Sequence, residues 1–297
     1  MKNLIFILGV LLAFSCDYVD EPLVKTEGGA GDCVAPTFPQ NTNTKRNILI
    51  EDFTGQQCTF CPAAAYIIDT IKDNLGSQII PVGLHVGGFS VPLTSGTKYR
   101  TDFRTPGGTE IYNRFAPNAP QPALMVNRYD GFNTPASFNI SYFALSTNVR
   151  SMINDVPTLN MQSLTSTDPS TGDICVFTEV EVLTTLSDDH SIVVMLLEDS
   201  IIDWQKYSGS LGDPIYGSGQ RDIPDYKHEH VLRKSVNGWQ GKTILSSANA
   251  VGEKIIETNK ILGADLDGSW NSSKFEIVTF VYNNRTKEVM QAAHTKL

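Results

Sequence analysis

Two cysteines two residues apart, Cys58 and Cys61, stand in the string "EDFTGQQCTFCP". A pair at this spacing serves thiol–disulfide exchange, half of a metal site, haem attachment or a closed structural bond. Haem attachment needs His after the second cysteine, and residue 62 is Pro. A structural zinc site needs a second ligand pair at similar spacing, and none follows. A working disulfide and a silent one remain. For exchange, Cys58 is the candidate nucleophile and Cys61 the resolving thiol. Thr59 and Phe60 between them bring no positive charge that would depress a thiolate strongly.

The surrounding elements must hold that pair. "NILIEDF" is an apolar strand around two acids, and Gly55 breaks it. The pattern predicts a helix opening near Cys58, with Pro62 in its first turn, where a missing N–H costs nothing. Ala64, Ile68, Ile71 and Leu75 recur at helical spacing, and Gly76 stops the helix. A thiolate at a helix N-terminus meets the positive end of the dipole, so its pKa falls. "SQIIPVGLHVGGF" is a second strand of the kind buried on both faces in parallel sheets. A short helix over 109–115 follows, then "PALMVNRYDGF", a strand with a turn at Asp130 and Gly131. Phe138, Tyr142, Leu145, Val149 and Met152 line a last helix.

This order, with CxxC at the first strand-to-helix junction, resembles thioredoxin. The resemblance implies that Asp52, six residues before Cys58, is a buried acid under the site that relays a proton to or from the inner thiol. It also implies that Pro122, in "QPALMV", is a cis-proline stacked beside the disulfide; cis bonds are almost confined to X-Pro. Three features depart from the pattern. Gln57 stands where thioredoxins have Trp, Pro62 replaces a basic residue, and an insertion spans about 87–118. His85 ends a strand on the side of the sheet where sites form, and reads as a packed residue more readily than as a partner contact.

After Val156 and Pro157 the helical period vanishes. Seven apolar-alternating segments separated by Gly, Pro, Asn, Asp and Ser predict strands, with hairpin turns over 168–172 and 283–287. The fold expected is an α/β thioredoxin-like domain over 45–156, followed by an all-β immunoglobulin-like sandwich over 157–297. Cys175 falls inside a strand and is expected to be buried. The stretch 203–227 reads as a long irregular loop whose Trp204, Tyr207, Tyr216 and Tyr226 make a candidate binding surface. His228 and His230 fall on one face of a strand, but no third metal ligand is visible, so no metal or other cofactor is expected.

The chain begins with Lys2 and an apolar run over 4–14, too short to span a bilayer. This predicts a signal peptide over 1–15. Ala13, Ser15 and Cys16 resemble a bacterial lipobox, which implies lipidation of Cys16 and attachment to a membrane. Residues 16–44, rich in Gly, Pro, Thr, Asn and acids, read as a tether. Asp17, Asp20 and Glu21 resemble signals that send Bacteroidota lipoproteins to the cell surface. The formal net charge of −9 over 297 residues excludes nucleic acid as a partner. Setting Cys16 aside leaves Cys33 and Cys175, which either pair across the tether and the second half or stay free.

The whole resembles the Bacteroidota 28-kilodalton outer-membrane protein family. The matching residues are Glu51 to Pro62, His230 to Arg233, and the closing "VYNNRTKEVMQA". The resemblance implies an outer-membrane lipoprotein facing an envelope or extracellular protein. Two roles stay open: thiol–disulfide exchange through Cys58 and Cys61, or a surface adhesin or receptor that uses the thioredoxin-like fold as a scaffold.

Overall fold

The computed structural model describes residues 25–27, 33–133, 137–209, 219 and 221–297. The signal peptide, Cys16, the acids after it and Tyr216 lie outside the described residues.

A short strand, β1 (Lys25–Glu27), precedes the α/β half. That half runs β2 (Ile48–Thr54), α1 (Cys61–Leu75), β3 (Ile79–His85), α2 (Pro106–Phe115), β4 (Ala123–Val126) and α3 (Leu145–Met152). β2 pairs parallel with β3 and antiparallel with β4. A fourth strand survives only as a bridge between Leu124 and Ile140. Ile48 and Ile50 on one face of β2 meet Ala64, Ile68 and Ile71 of α1 and Leu145 and Val149 of α3. The chain turns first at Asn127 and Arg128, both with positive φ, and again at Gly131 and Phe132, next to the expected turn. Asn127 holds that turn, because its Oδ1 accepts from Leu49 N at 2.7 Å.

The second half adds β5 (Leu159–Thr167), β6 (Ile174–Val182), β7 (His190–Glu198), β8 (Ile201–Tyr207), β9 (Arg221–His228), β10 (Val231–Ser235), β11 (Lys242–Leu245), β12 (Lys254–Ile261), β13 (Phe275–Asn283) and β14 (Val289–Lys296). The seven expected strands are present, together with β8, β9 and β11. The order β1–β12–β6–β5 makes one sheet. It faces part of a larger one: Leu159, Met161, Val180 and Val182 pack against Ile192, Val281 and Ala293.

That larger sheet differs from the expected separate sandwich. Its order is β14–β13–β7–β10–β3–β2–β4, so it runs without a break into the α/β half. All nine residues of β7 are buried, and such a strand needs neighbours on both edges. One neighbour, β10, also pairs parallel with β3 at Val231 and Gly83. A Cβ on Gly83 would lie 3.3 Å from the Glu229 and His230 carbonyl oxygens, so glycine permits this close approach. One core is shared across the joint, where Phe53, Val82 and Leu84 meet Val193, Met195, Leu197, Leu232 and Phe280.

Glu51 on β2 and Arg128 after β4 pair within the α/β half, and Arg128 reaches from there to rings of the second half. The guanidinium donates to both carboxylate oxygens at 2.8 and 2.7 Å, and both residues are 1 % exposed. Phe115, Phe280 and Tyr282 flank its faces. At the start of β2, Arg46 donates to Glu288 at 2.7 Å, and the Asn47 side chain donates to the Ala292 carbonyl at 2.7 Å.

The described part of the tether lies on the second half. β1 pairs parallel with β12, and Asn41 donates to the Met161 carbonyl at 2.9 Å. Cys33 is disulfide-bonded to Cys175, which settles the pairing that the sequence left open. Cys175 lies in β6 as expected but is half-buried, at the place where the bridge arrives.

Candidate functional site

Cys58 and Cys61 form a disulfide. Cys58 sits in the turn between β2 and α1, its N–H donating to the Gly55 carbonyl at 3.0 Å. The helix itself starts at Cys61, with Pro62 in its first turn. The peptide bond between Gln121 and Pro122 is cis. Pro122 and Phe60 line one groove of about 590 Å³, together with Ile140, Tyr142 and Phe143. Phe60 is 43 % exposed and Phe143 70 %. Phe60, between the two cysteines, thus shares an open apolar groove with the cis-proline, while the cysteines do not line it.

The sulfurs themselves are covered: Cys58 is 1 % exposed and Cys61 2 %. The cover is the paired strands β8 and β9, which occupy the stretch expected to be an irregular loop. Lys206 N donates to the Gln56 carbonyl and Ser208 N to the Thr59 carbonyl, both at 2.8 Å. The Gln205 amide, almost fully buried, reaches the Cys58 carbonyl at 2.9 Å and the Gly55 carbonyl at 3.3 Å. Tyr207 and Tyr226 are buried rather than displayed, and Trp204 packs against Tyr99 of the insertion. On the other side, Gln57, in the position of the thioredoxin Trp, donates to the Val91 carbonyl at 2.7 Å.

Beneath the motif lies a cavity of about 60 Å³, lined by Asp52, Cys61, Asp69, His85, Gln205, His228 and Glu229 among others. Asp52 is buried, and its Oδ1 has no hydrogen-bond partner among the described residues. Burial, and then the nearby charge of Asp69, raise its pKa from 3.8 to about 7. That value suits a group that gives and takes protons at neutral pH. His85 is packed between Phe103 and His228, at ring distances of 4.9 and 5.4 Å. Burial, and then the charges of His228 and Arg233, hold its pKa well below the usual imidazole value. Burial lowers His228 to about 4.

His228 and His230 do not share a face as expected. β9 ends at His228, and His230 has a φ of 54°, so the chain twists between them. Both border the cavity, but the His228 ring faces His85, while His230 Nδ1 lies 3.3 Å from Glu276 Oε2. Sequence reasoning missed Gln205 and Glu276, since neither belongs to a local motif. It also missed Gln56, whose buried amide is without a hydrogen-bond partner at either end among the described residues.

Among curated proteins, none matches the chain in sequence. Among solved structures, HBP35 of Porphyromonas gingivalis is similar at a TM-score of 0.60 and 15 % identity, over 86 % of this chain and 77 % of that one. This likeness concerns the fold alone. A protein of Agrobacterium tumefaciens aligns at a TM-score of 0.43 and 13 % identity, over 84 % of this chain and 96 % of that one. A domain of the outer membrane lipoprotein Omp28 from Porphyromonas gingivalis aligns at 0.30 and 21 %, over 48 % and 90 %. The family described as outer membrane protein Omp28 matches residues 109–297, which contain the cis-proline, the covering hairpin and the whole second half but not the cysteine pair. The chain therefore belongs to the Omp28 family of outer membrane proteins.

Proposed function

We propose that this protein is an outer-membrane lipoprotein, anchored through Cys16, whose Cys58–Cys61 pair exchanges disulfides with a protein of the envelope. Exchange begins when the β8–β9 hairpin lifts. The observation that carries this reading is Asp52, whose buried Oδ1 has no hydrogen-bond partner among the described residues, on the cavity that Cys61 also lines. Such a group costs stability, and costs of this kind concentrate where chemistry uses them. Cys58 thiolate attacks a partner disulfide, forming a mixed disulfide and releasing one partner thiolate. Cys61, its proton passing to Asp52, then attacks Cys58 sulfur. This releases the second partner thiolate and re-forms the Cys58–Cys61 bond. The opposite direction runs the same steps in reverse. The groove beside Phe60 and Pro122 suits an apolar side chain of the partner. Orphaned atoms on Gln56, His85 and His228 support an openable cover, because unmet polar groups weaken the closed state.

The 1 % exposure of Cys58 favours a second reading, in which the disulfide is a staple and the groove alone binds a surface ligand. Redox titration separates the two. Exchange predicts a potential between about −120 and −270 mV, and a staple one below about −300 mV. Gln205→Ala removes the amide clasp, so alkylation of reduced Cys58 should quicken about tenfold, the equivalent of about 1.4 kcal/mol. A pair that resists reduction in both proteins leaves the staple.

The orders β5–β6–β12 and β14–β13–β7 support an immunoglobulin-like reading of the second half, with the β7 edge extended by β10 into the other half.

A further inference from the structure

Three ligand-type side chains from distant parts of the sequence, Asp199 after β7, His230 before β10 and Glu276 on β13, bring ligand atoms within 4.8 Å of one another, and His294 on β14 stands against Glu276 from the side. His230 Nδ1 lies 3.2 Å from Asp199 Oδ1 and 3.3 Å from Glu276 Oε2. His294 Nε2 lies 3.1 Å from the same Glu276 oxygen, yet among the described residues no hydrogen bond closes at that nitrogen. Glu276 Oε1 is also buried without a hydrogen bond, although Lys296 Nζ stands 3.3 Å away.

These separations have a geometric meaning. Bonds of about 2.0–2.1 Å to one tetrahedral ion place neighbouring ligand atoms about 3.3 Å apart, close to the spacing of these three pairs, and His294 completes the set by closing on Asp199 and His230 when the ion binds. Two imidazoles and two carboxylates form a borderline donor set that fits zinc better than calcium or magnesium. We propose that Asp199, His230, Glu276 and His294 form a divalent-metal site, suited to zinc, where the two halves meet.

One contact sets the terms of binding. Lys72 Nζ lies 2.9 Å from His230 Nε2 and donates to it, so the proton of the neutral ring sits on Nδ1, facing the two carboxylates. A metal on Nδ1 shifts that proton to Nε2 and turns Lys72 away. Lys72 therefore competes with the metal, and Lys296 balances the Glu276 charge while the site is empty. Lys227 and Glu229 pair with each other nearby.

The test uses tag-free protein with both disulfides intact, titrated with zinc against a chromophoric chelator. One zinc per chain is expected. His294→Ala, at a half-buried position, should weaken binding at least tenfold, measured at a temperature where the zinc-free variant remains folded. Lys72→Met should tighten binding, which a purely hydrogen-bonded cluster would not do. Absence of saturable binding at micromolar zinc, wild-type affinity in His294→Ala, or equal or weaker binding in Lys72→Met would each overturn the site. None of these readouts depends on disulfide exchange.

Discussion

Arg128→Met is expected to lower the unfolding free energy by about 3–5 kcal/mol, because it leaves Glu51 buried without its partner. The guanidinium closes both bonds to that carboxylate with no solvent contact. Its faces lie 4.7 Å from the Phe115 ring and 4.8 Å from that of Phe280, so the substitution also removes aromatic contact. Urea unfolding at neutral pH measures the loss. The double variant Glu51→Leu with Arg128→Met should recover much of it, since a buried pair exchanged whole for apolar residues is often neutral. A single variant within about 0.5 kcal/mol of wild type would mean that water reaches Glu51.

Asp52→Asn should act in the opposite direction. Below about pH 4 the carboxyl is neutral in both folded and unfolded chains and costs little. Between about pH 4 and 7 the unfolded chain ionises while the folded one, with its pKa raised to about 7, stays protonated. Stability therefore falls through that window, and above it the full penalty stands. A shift of this size corresponds to a loss on the order of 4 kcal/mol. Asn keeps the volume and removes the charge, but leaves its own amide poorly paired. The net gain expected at pH 8 is on the order of 1–3 kcal/mol, with a flatter slope between pH 4 and 7. Urea curves at pH 4, 5.5, 7 and 8 measure both. Asp69 and Glu229, also raised chiefly by burial, keep part of the slope in the variant. An unchanged slope would assign the whole pH dependence to them.

The core of the α/β half was legible because its signals are local. Ile48, Ile50 and the period of Ala64, Ile68 and Ile71 fix a strand and a helix, and the cysteine pair falls at their junction. Pro122 was legible because a cis bond needs proline. The covering hairpin was not. β9 reads "RDIPDYKH", polar and interrupted by Pro224, which argues against a strand. The structure places that proline at a shift in register between Asp203 and Gln205 of the partner strand, where a missing N–H breaks no ladder bond. Glu51 and Arg128 were hidden for another reason. A charged residue reads as solvent-facing until its partner, far along the chain, is known to reach it. The join of β10 to β3 rests on one close approach at Gly83, and no local pattern announces it.

The bonds at the start of β2 impose an order of events. Arg46 and Asn47, which lead into β2, are held by Glu288, Val289, Gln291 and Ala292, so the entry to the first large strand is anchored on the last one. Closing contacts over such sequence separations is entropically costly and slow. During synthesis the α/β half emerges first, but it cannot finish its own core until β7, β10 and β13 have followed.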